Sequence, residues 1–270
     1  MRRILLSDFS RLRTGAWRRF GVARGLFAAG VVLLAVPAAA AESRGQRSFA
    51  IIDQISDVAR ARVEQVGVAN KVEVLQAGRN LEADIYILGQ LNKASDSANR
   101  VVQTGEASRA EVEVSGDENQ FLVVQKGGNG PANNTATTRI EGDLNSASIY
   151  QGNEFGADYY NSAQLSQLGT ANIAAIRQQV DPRTITSGGN AATISQDGTS
   201  NEAEIEQTGA DNLATIEQTG SSNKGTIRQD GTGLSAFLAQ TGTALEYTIN
   251  QTGCVLAAGC GTVSVTQTSP

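Results

Sequence analysis

The sequence contains no histidine. That removes histidine-based triads, histidine general bases and histidine metal ligands before any motif is sought. Proline is scarce, with four residues in 270, which argues against a disordered linker protein. Cysteine is confined to Cys254 and Cys260. Without histidine or further cysteine these two cannot assemble a structural metal site. Positive charge is scarce once the N-terminus is set aside. Seven of the 22 basic residues and one of the 27 acidic residues lie within positions 1–41, leaving 15 basic and 26 acidic residues and a net charge of −11. A chain of that sign repels phosphate, so nucleic acid is not an expected partner.

What is present begins with residues 1–41, which read as a secretory signal peptide. Arg2, Arg3, Arg11, Arg13, Arg18, Arg19 and Arg24 form a basic n-region, Leu26 to Pro37 is apolar, and Ala39-Ala40-Ala41 offers small residues before Glu42. The alternative, a membrane anchor, is disfavoured by length. The apolar run from Leu26 to Ala41 has 16 residues, against roughly 20 needed to span a bilayer as a helix. The reading divides the chain into a signal at 1–41 and one repetitive domain at 42–270.

Glycine is abundant, with 29 residues, and it recurs in phase. The segments NAATISQDGTS, NEAEIEQTGAD, NLATIEQTGSS and NKGTIRQDGTG follow one another. Gln196, Gln207, Gln218, Gln229, Gln240 and Gln251 are eleven residues apart, with a glycine two positions after each. Asn190, Asn201, Asn212 and Asn223 stand six positions before the first four. Weaker copies lie upstream, at Gln54, Gln65, Gln76 and Ile87, then Gln103, Val114 and Gln125, then Ile140 and Gln151, then Gln167 and Gln178; Gln267 closes the series. The longer steps between these runs place inserted loops near 128–138, 153–163 and 180–189.

An eleven-residue period also suits a right-handed coiled coil. Here Asn201, Ala203, Ile205 and Gln207 alternate every second residue, which is the period of a strand. A glycine in every repeat would also cost a helix about 1 kcal/mol each time. Each unit therefore reads as a strand and a glycine turn, two units as one rung, and the whole as an all-β solenoid of about nine two-strand rungs at the usual interstrand spacing. It is most regular at 190–253. In a typical unit Asn212, Ala214, Ile216 and Gln218 face inward, while Leu213, Thr215, Glu217 and Thr219 face outward. One isoleucine per unit cannot by itself offset the ordering of eleven residues, so backbone ladders and stacked amides must contribute. A buried amide is tolerable when the same amide recurs on the next rung and accepts its proton. The expected amide ladder comprises Gln196, Gln207, Gln218, Gln229, Gln240 and Gln251 with Asn190, Asn201, Asn212 and Asn223. Its densest part, Asn190–Gly253, is the expected core for templating, with the upstream ladder interrupted by Ile87 and Val114. A regular solenoid without a cap offers its end strands to another copy.

These repeats resemble those of the curlin family, the subunits of curli fibres. The resemblance covers most of residues 50–253 and is tightest from Asn190 to Gly253. It implies an extracellular structural protein, with no catalytic role and no cofactor, that polymerises into cell-surface amyloid fibres of a biofilm. The implied partners are itself, other curlin-type subunits and the curli secretion and assembly machinery, with association at the outer-membrane surface. Asparagine opening successive units, and Glu and Arg on outward positions, are more similar to the minor, nucleating subunit than to the bulk polymer.

Other constellations are weaker. Cys254 and Cys260 bracket a short loop at 254–260, and in a secreted chain an even count suggests a disulfide; two free thiols are the other option. Glu202, Glu204 and Glu206 share one outward row, which reads as solvated charge that discourages sheet-to-sheet sticking rather than as paired catalytic carboxylates. Thr193, Thr215, Thr226 and Thr248 precede the inward isoleucine in a row broken by Glu204 and Phe237. The functional alternative is a secreted β-solenoid enzyme or binding protein acting on polysaccharide.

Overall fold

The computed structural model describes residues 30–34, 38–44, 47–55, 59–93, 99–105, 107–127, 133–152, 160–179, 188–253 and 261–269. All regular structure among them is β, and it forms two ten-stranded sheets. The odd sheet contains β1 (Gly30–Leu34), β3 (Phe49–Gln54), β5 (Lys71–Ala77), β7 (Asn99–Thr104), β9 (Gln120–Lys126), β11 (Ser146–Gln151), β13 (Ile173–Gln179), β15 (Glu202–Ala210), β17 (Lys224–Thr232) and β19 (Glu246–Thr252). The even sheet contains β2 (Ala38–Arg44), β4 (Arg60–Val66), β6 (Glu82–Leu88), β8 (Arg109–Ser115), β10 (Thr135–Glu141), β12 (Ser162–Thr170), β14 (Ala191–Thr199), β16 (Leu213–Ser221), β18 (Ser235–Thr243) and β20 (Thr262–Thr268). Every strand pairs in parallel with the strand two places away in sequence, as in Gln207↔Gln229 and Gln196↔Gln218. The chain thus winds as a solenoid, and each unit returns to the same sheet every second repeat.

The strands form because alternate residues are apolar and small enough to fill a narrow interior. In β16, Ala214, Ile216 and Gln218 are buried while Leu213, Glu217 and Thr219 are exposed. The core consists of stacked columns, such as Ile176, Ile205, Ile227 and Ile249 in the odd sheet and Ala163, Ala192, Ala214 and Ala236 in the even sheet. Stacking like on like keeps the section constant from rung to rung, which parallel pairing requires.

The turns need glycine for two reasons. Gly198 has φ 133, and a Cβ built there would overlap the carbonyl oxygen of Gly220 on the next rung. Two residues later Ser200 has φ 56, the left-handed region that non-glycine residues enter at a cost. Its amide donates to the Thr170 carbonyl at 2.9 Å. The turn is therefore glycine, a spacer, a left-handed residue, then asparagine.

The loop boundaries differ from the sequence expectation. Thr135–Thr138 belong to β10 and Ser162 opens β12, because Ala136 and Ala163 already sit in the buried column. Residues 30–34 and 38–44, most of them within the segment 1–41 read as a signal, occupy the first place in each sheet. Residues 1–29 of that segment, and the loop 254–260 with Cys254 and Cys260, lie outside the described residues.

Candidate assembly site: the amide ladders and the end rungs

In the odd sheet one chain of side-chain hydrogen bonds runs from β3 to β19. Gln54, Gln76, Gln103, Gln125, Gln151, Gln178, Gln207, Gln229 and Gln251 are joined in that order, each Nε2 donating to the Oε1 of the next, at 2.6 to 3.0 Å. The Nε2 of most of these residues also donates to a backbone carbonyl of the opposite sheet, as Gln207 does to Ala191 and Gln229 to Leu213, both at 3.0 Å. One amide therefore ties its rung to the next and one sheet to the other. The upstream interruption expected from Ile87 and Val114 does not reach this ladder, because both residues belong to the even sheet. Gln54 and Gln76 are part of the same continuous array as Gln207 and Gln229.

The even sheet differs. Gln167, Gln196, Gln218, Gln240 and Gln267 are linked at 2.8 to 3.0 Å. Before them, Ile87, Val114 and Ile140 occupy the same column in succession. The junctions leave buried polar atoms without partners: Gln167 Oε1, which faces the Ile140 side, and both amide atoms of Gln65, whose register neighbours are Ser43 and Ile87. Thr138 Oγ1, in the column otherwise filled by residues such as Val112 and Leu165, is likewise buried and unpaired. Such an atom carries the full desolvation cost of about 1–3 kcal/mol.

The asparagines do different work. Asn201 Oδ1 accepts the backbone N–H of Asn223 at 3.0 Å, and Asn201 Nδ2 donates to the Gly220 carbonyl at 3.0 Å. Asn223 repeats this with Leu245 N–H and Gly242, and Asn212 with Leu234 N–H and Gly231. Asn190 does so with Asn212 N–H and Gly209. Each asparagine clamps the corner of the next rung, so it serves the backbone of the turn more than a side-chain ladder. Sequence periodicity placed these residues inward but did not show this role. Asn92, in frame with Gly89 in the sequence, and the further upstream members Asn70, Asn119, Asn145 and Asn172 clamp in the same way, and those four could have been found by the same offset from glycine.

The outward rows are electrostatically quiet. Lys224 lies 3.2 Å from Glu202, and Arg228 lies 3.5 Å from Glu204 and 3.6 Å from Glu206. The acidic row is thus matched by basic residues one rung on. The threonine row divides between the sheets: Thr193 pairs with Thr215 in the even sheet and Thr226 with Thr248 in the odd sheet. A shallow depression on the even sheet, lined by Arg62, Glu64, Asp84, Tyr86, Glu111 and Glu113, holds charged groups that also engage in surface ion pairs, such as Arg62–Glu64 and Arg139–Glu113.

The ends are where the arrangement is unfinished. At the C-terminal rung, Tyr247 and Val263 occupy inward columns yet remain 40% and 38% exposed. Gln251 Nε2 and Gln267 Nε2 donate to the Ser235 and Glu246 carbonyls at 3.0 and 3.4 Å, and β19 and β20 are the last described strands of their sheets. At the N-terminal side the ladder of the odd sheet stops at Gln54, whose buried Oε1 has no partner. Both ladders run with donors toward the C-terminal end and acceptors toward the N-terminal end.

Residues 189–220 and 220–253 match the family model described as the curlin associated repeat. These two adjacent matches cover the stretch from β14 to β19. No curated protein matches the chain.

Proposed function

We propose that this curlin-repeat chain is a structural subunit of curli-type extracellular fibres, built to extend by adding strands at the ends of its solenoid. Tandem curlin associated repeats and the two parallel sheets support the structural reading. The observation that carries it is the unbroken glutamine ladder from Gln54 to Gln251, whose last member lies in the final described strand of its sheet. Parallel strands with open edges and in-register amides are the elements of a self-templating stack. Secretion through the signal at 1–41, assembly outside the cell with other curlin-type subunits and their export machinery, and a place in a biofilm matrix belong to the same proposal.

Within that role, nucleation suits this chain better than bulk polymer. Its many rungs present a preformed end of fixed register, so a second subunit is spared the entropy of finding the first one. The test is seeding. Substoichiometric chain 42–270 added to a second curlin-type subunit should abolish most of its lag phase. An unchanged lag, with the added chain folded, removes the nucleating role.

A further inference from the structure

The two ends of the solenoid differ in a way that defines how copies meet and what prevents it. The N-terminal rung of the repetitive domain, β3 and β4, carries buried amide acceptors that the chain itself does not satisfy: Gln54 Oε1 and Gln65 Oε1. The C-terminal rung, β19 and β20, carries the two donors Gln251 Nε2 and Gln267 Nε2 at the end of the same two columns. In the full chain β3 and β4 are covered by β1 and β2, through Gly30↔Phe49 to Leu34↔Asp53 and Ala38↔Arg60 to Arg44↔Val66. That cover extends the backbone ladders and places Ser43 at the register position of Gln65, while its described pairing with β3 ends at Leu34↔Asp53.

We infer that β3 and β4 form the receiving surface for the β19–β20 rung of a second copy, and that the N-terminal segment holds this surface closed until it is removed. The inference rests on the assembly reading above. Continuing the columns across the junction sets Ile249 over Ile52, Tyr247 over Ala50 and Gln251 over Gln54 in the odd sheet. In the even sheet it sets Val265 over Val63, Val263 over Ala61 and Gln267 over Gln65. Each orphan acceptor meets an axial donor, and exposed apolar residues at one end meet the buried column at the other. On the outward rows Glu246 falls beside Phe49, Asn250 beside Asp53, Thr262 beside Arg60 and Thr266 beside Glu64, so no like charges are brought together. A junction of either end with its own kind would oppose donor to donor or acceptor to acceptor and would reverse the parallel pairing. Cleavage after Ala41 falls inside β2; it removes β1 and the greater part of the cover on β4.

The inference is tested with three purified proteins followed by thioflavin fluorescence and sedimentation: the chain 42–270, the full chain 1–270, and the full chain carrying Val32→Pro and Ala40→Pro. Each proline removes a ladder donor and is poorly tolerated in a paired strand. The chain 42–270 should polymerise, the full chain should lose polymerisation, and the proline variant should regain it at unchanged length and nearly unchanged hydrophobicity. The intact full chain, added in small amounts to growing 42–270, should stop growth at one end by docking its β19–β20 rung and offering no further receiving surface. If 1–270 and 42–270 polymerise alike, the cover is not a cap and the inference is overturned, while the assembly reading stands. If 42–270 does not polymerise, the assembly reading itself fails.

Discussion

Gln178 Nε2 donates to Gln207 Oε1 at 3.0 Å although the two residues are 29 apart in sequence, whereas Gln207 and Gln229 make the same bond across 22 residues at 2.9 Å. An insertion between rungs therefore leaves the axial contact unchanged. The units on either side of an insertion stand in the same column, so the ladder depends on which sheet a unit joins and not on uniform spacing.

This relationship predicts where amide substitutions act. Replacing Gln207 and Gln229 by Leu strands one donor proton of Gln178 and the acceptor of Gln251. Replacing Gln76 and Gln103 by Leu strands a donor proton of Gln54 and the acceptor of Gln125. Each pair leaves two amides incomplete, at about 1–3 kcal/mol apiece. The two double variants should lower chemical-denaturation stability by similar amounts and slow assembly similarly. A clearly milder upstream variant would mean that the C-terminal repeats alone form the cooperative core.

Gln65 should behave in the opposite sense. Its amide is buried and unbonded at both atoms, so Gln65→Leu removes an uncompensated desolvation cost. The isolated chain should gain about 1–3 kcal/mol of stability, read from the urea midpoint of a non-polymerising preparation. The same substitution removes an acceptor from the receiving rung, so polymer growth should slow. A variant that is both less stable and faster to assemble contradicts the arrangement.

Much of this was legible in the eleven-residue pattern. Alternation of Asn212, Ala214, Ile216 and Gln218 identified a strand, its inward face and the pairing of units two apart. What was hidden is parity. Ile87, Val114 and Ile140 look like scattered losses of glutamine along the chain, but they belong to alternate units and so share one column of the even sheet, leaving the odd ladder intact. The left-handed residues were hidden for another reason. Ser200, Asp211 and Ser222 suit a turn, but Leu91 and Leu144 hold the same conformation, which the rung geometry imposes against local preference.

Glycine substitutions separate backbone preference from stacking. Gly198→Ala meets the Gly220 carbonyl, whereas at Gly253, at φ 81, a built Cβ meets no atom within 4 Å among the described residues. Both should destabilise through the positive φ, by more than about 1 kcal/mol where strain is not relieved. Gly198→Ala should cost substantially more, because a neighbouring backbone must move. Equal thermal shifts would show that the rungs are less closely stacked at this corner.

The outward ion pairs should contribute little. Arg228→Gln removes the partner of Glu204 and Glu206 on an exposed face. Its effect should stay within about 1 kcal/mol and shrink further as salt is raised. A large loss would assign the acidic row a structural role that its exposure does not support.

The central claim is that the folded solenoid is itself the polymer's building block. Its most direct measurement is X-ray fibre diffraction from aligned assemblies of 42–270 grown from folded monomer. A meridional reflection at about 4.8 Å, with an equatorial reflection near 10 Å, is the predicted result, since strands stack along the axis and the two sheets face one another across the core. A chain that remains monomeric and dye-negative at high concentration, or a fibre whose strands lie parallel to its axis, would contradict it.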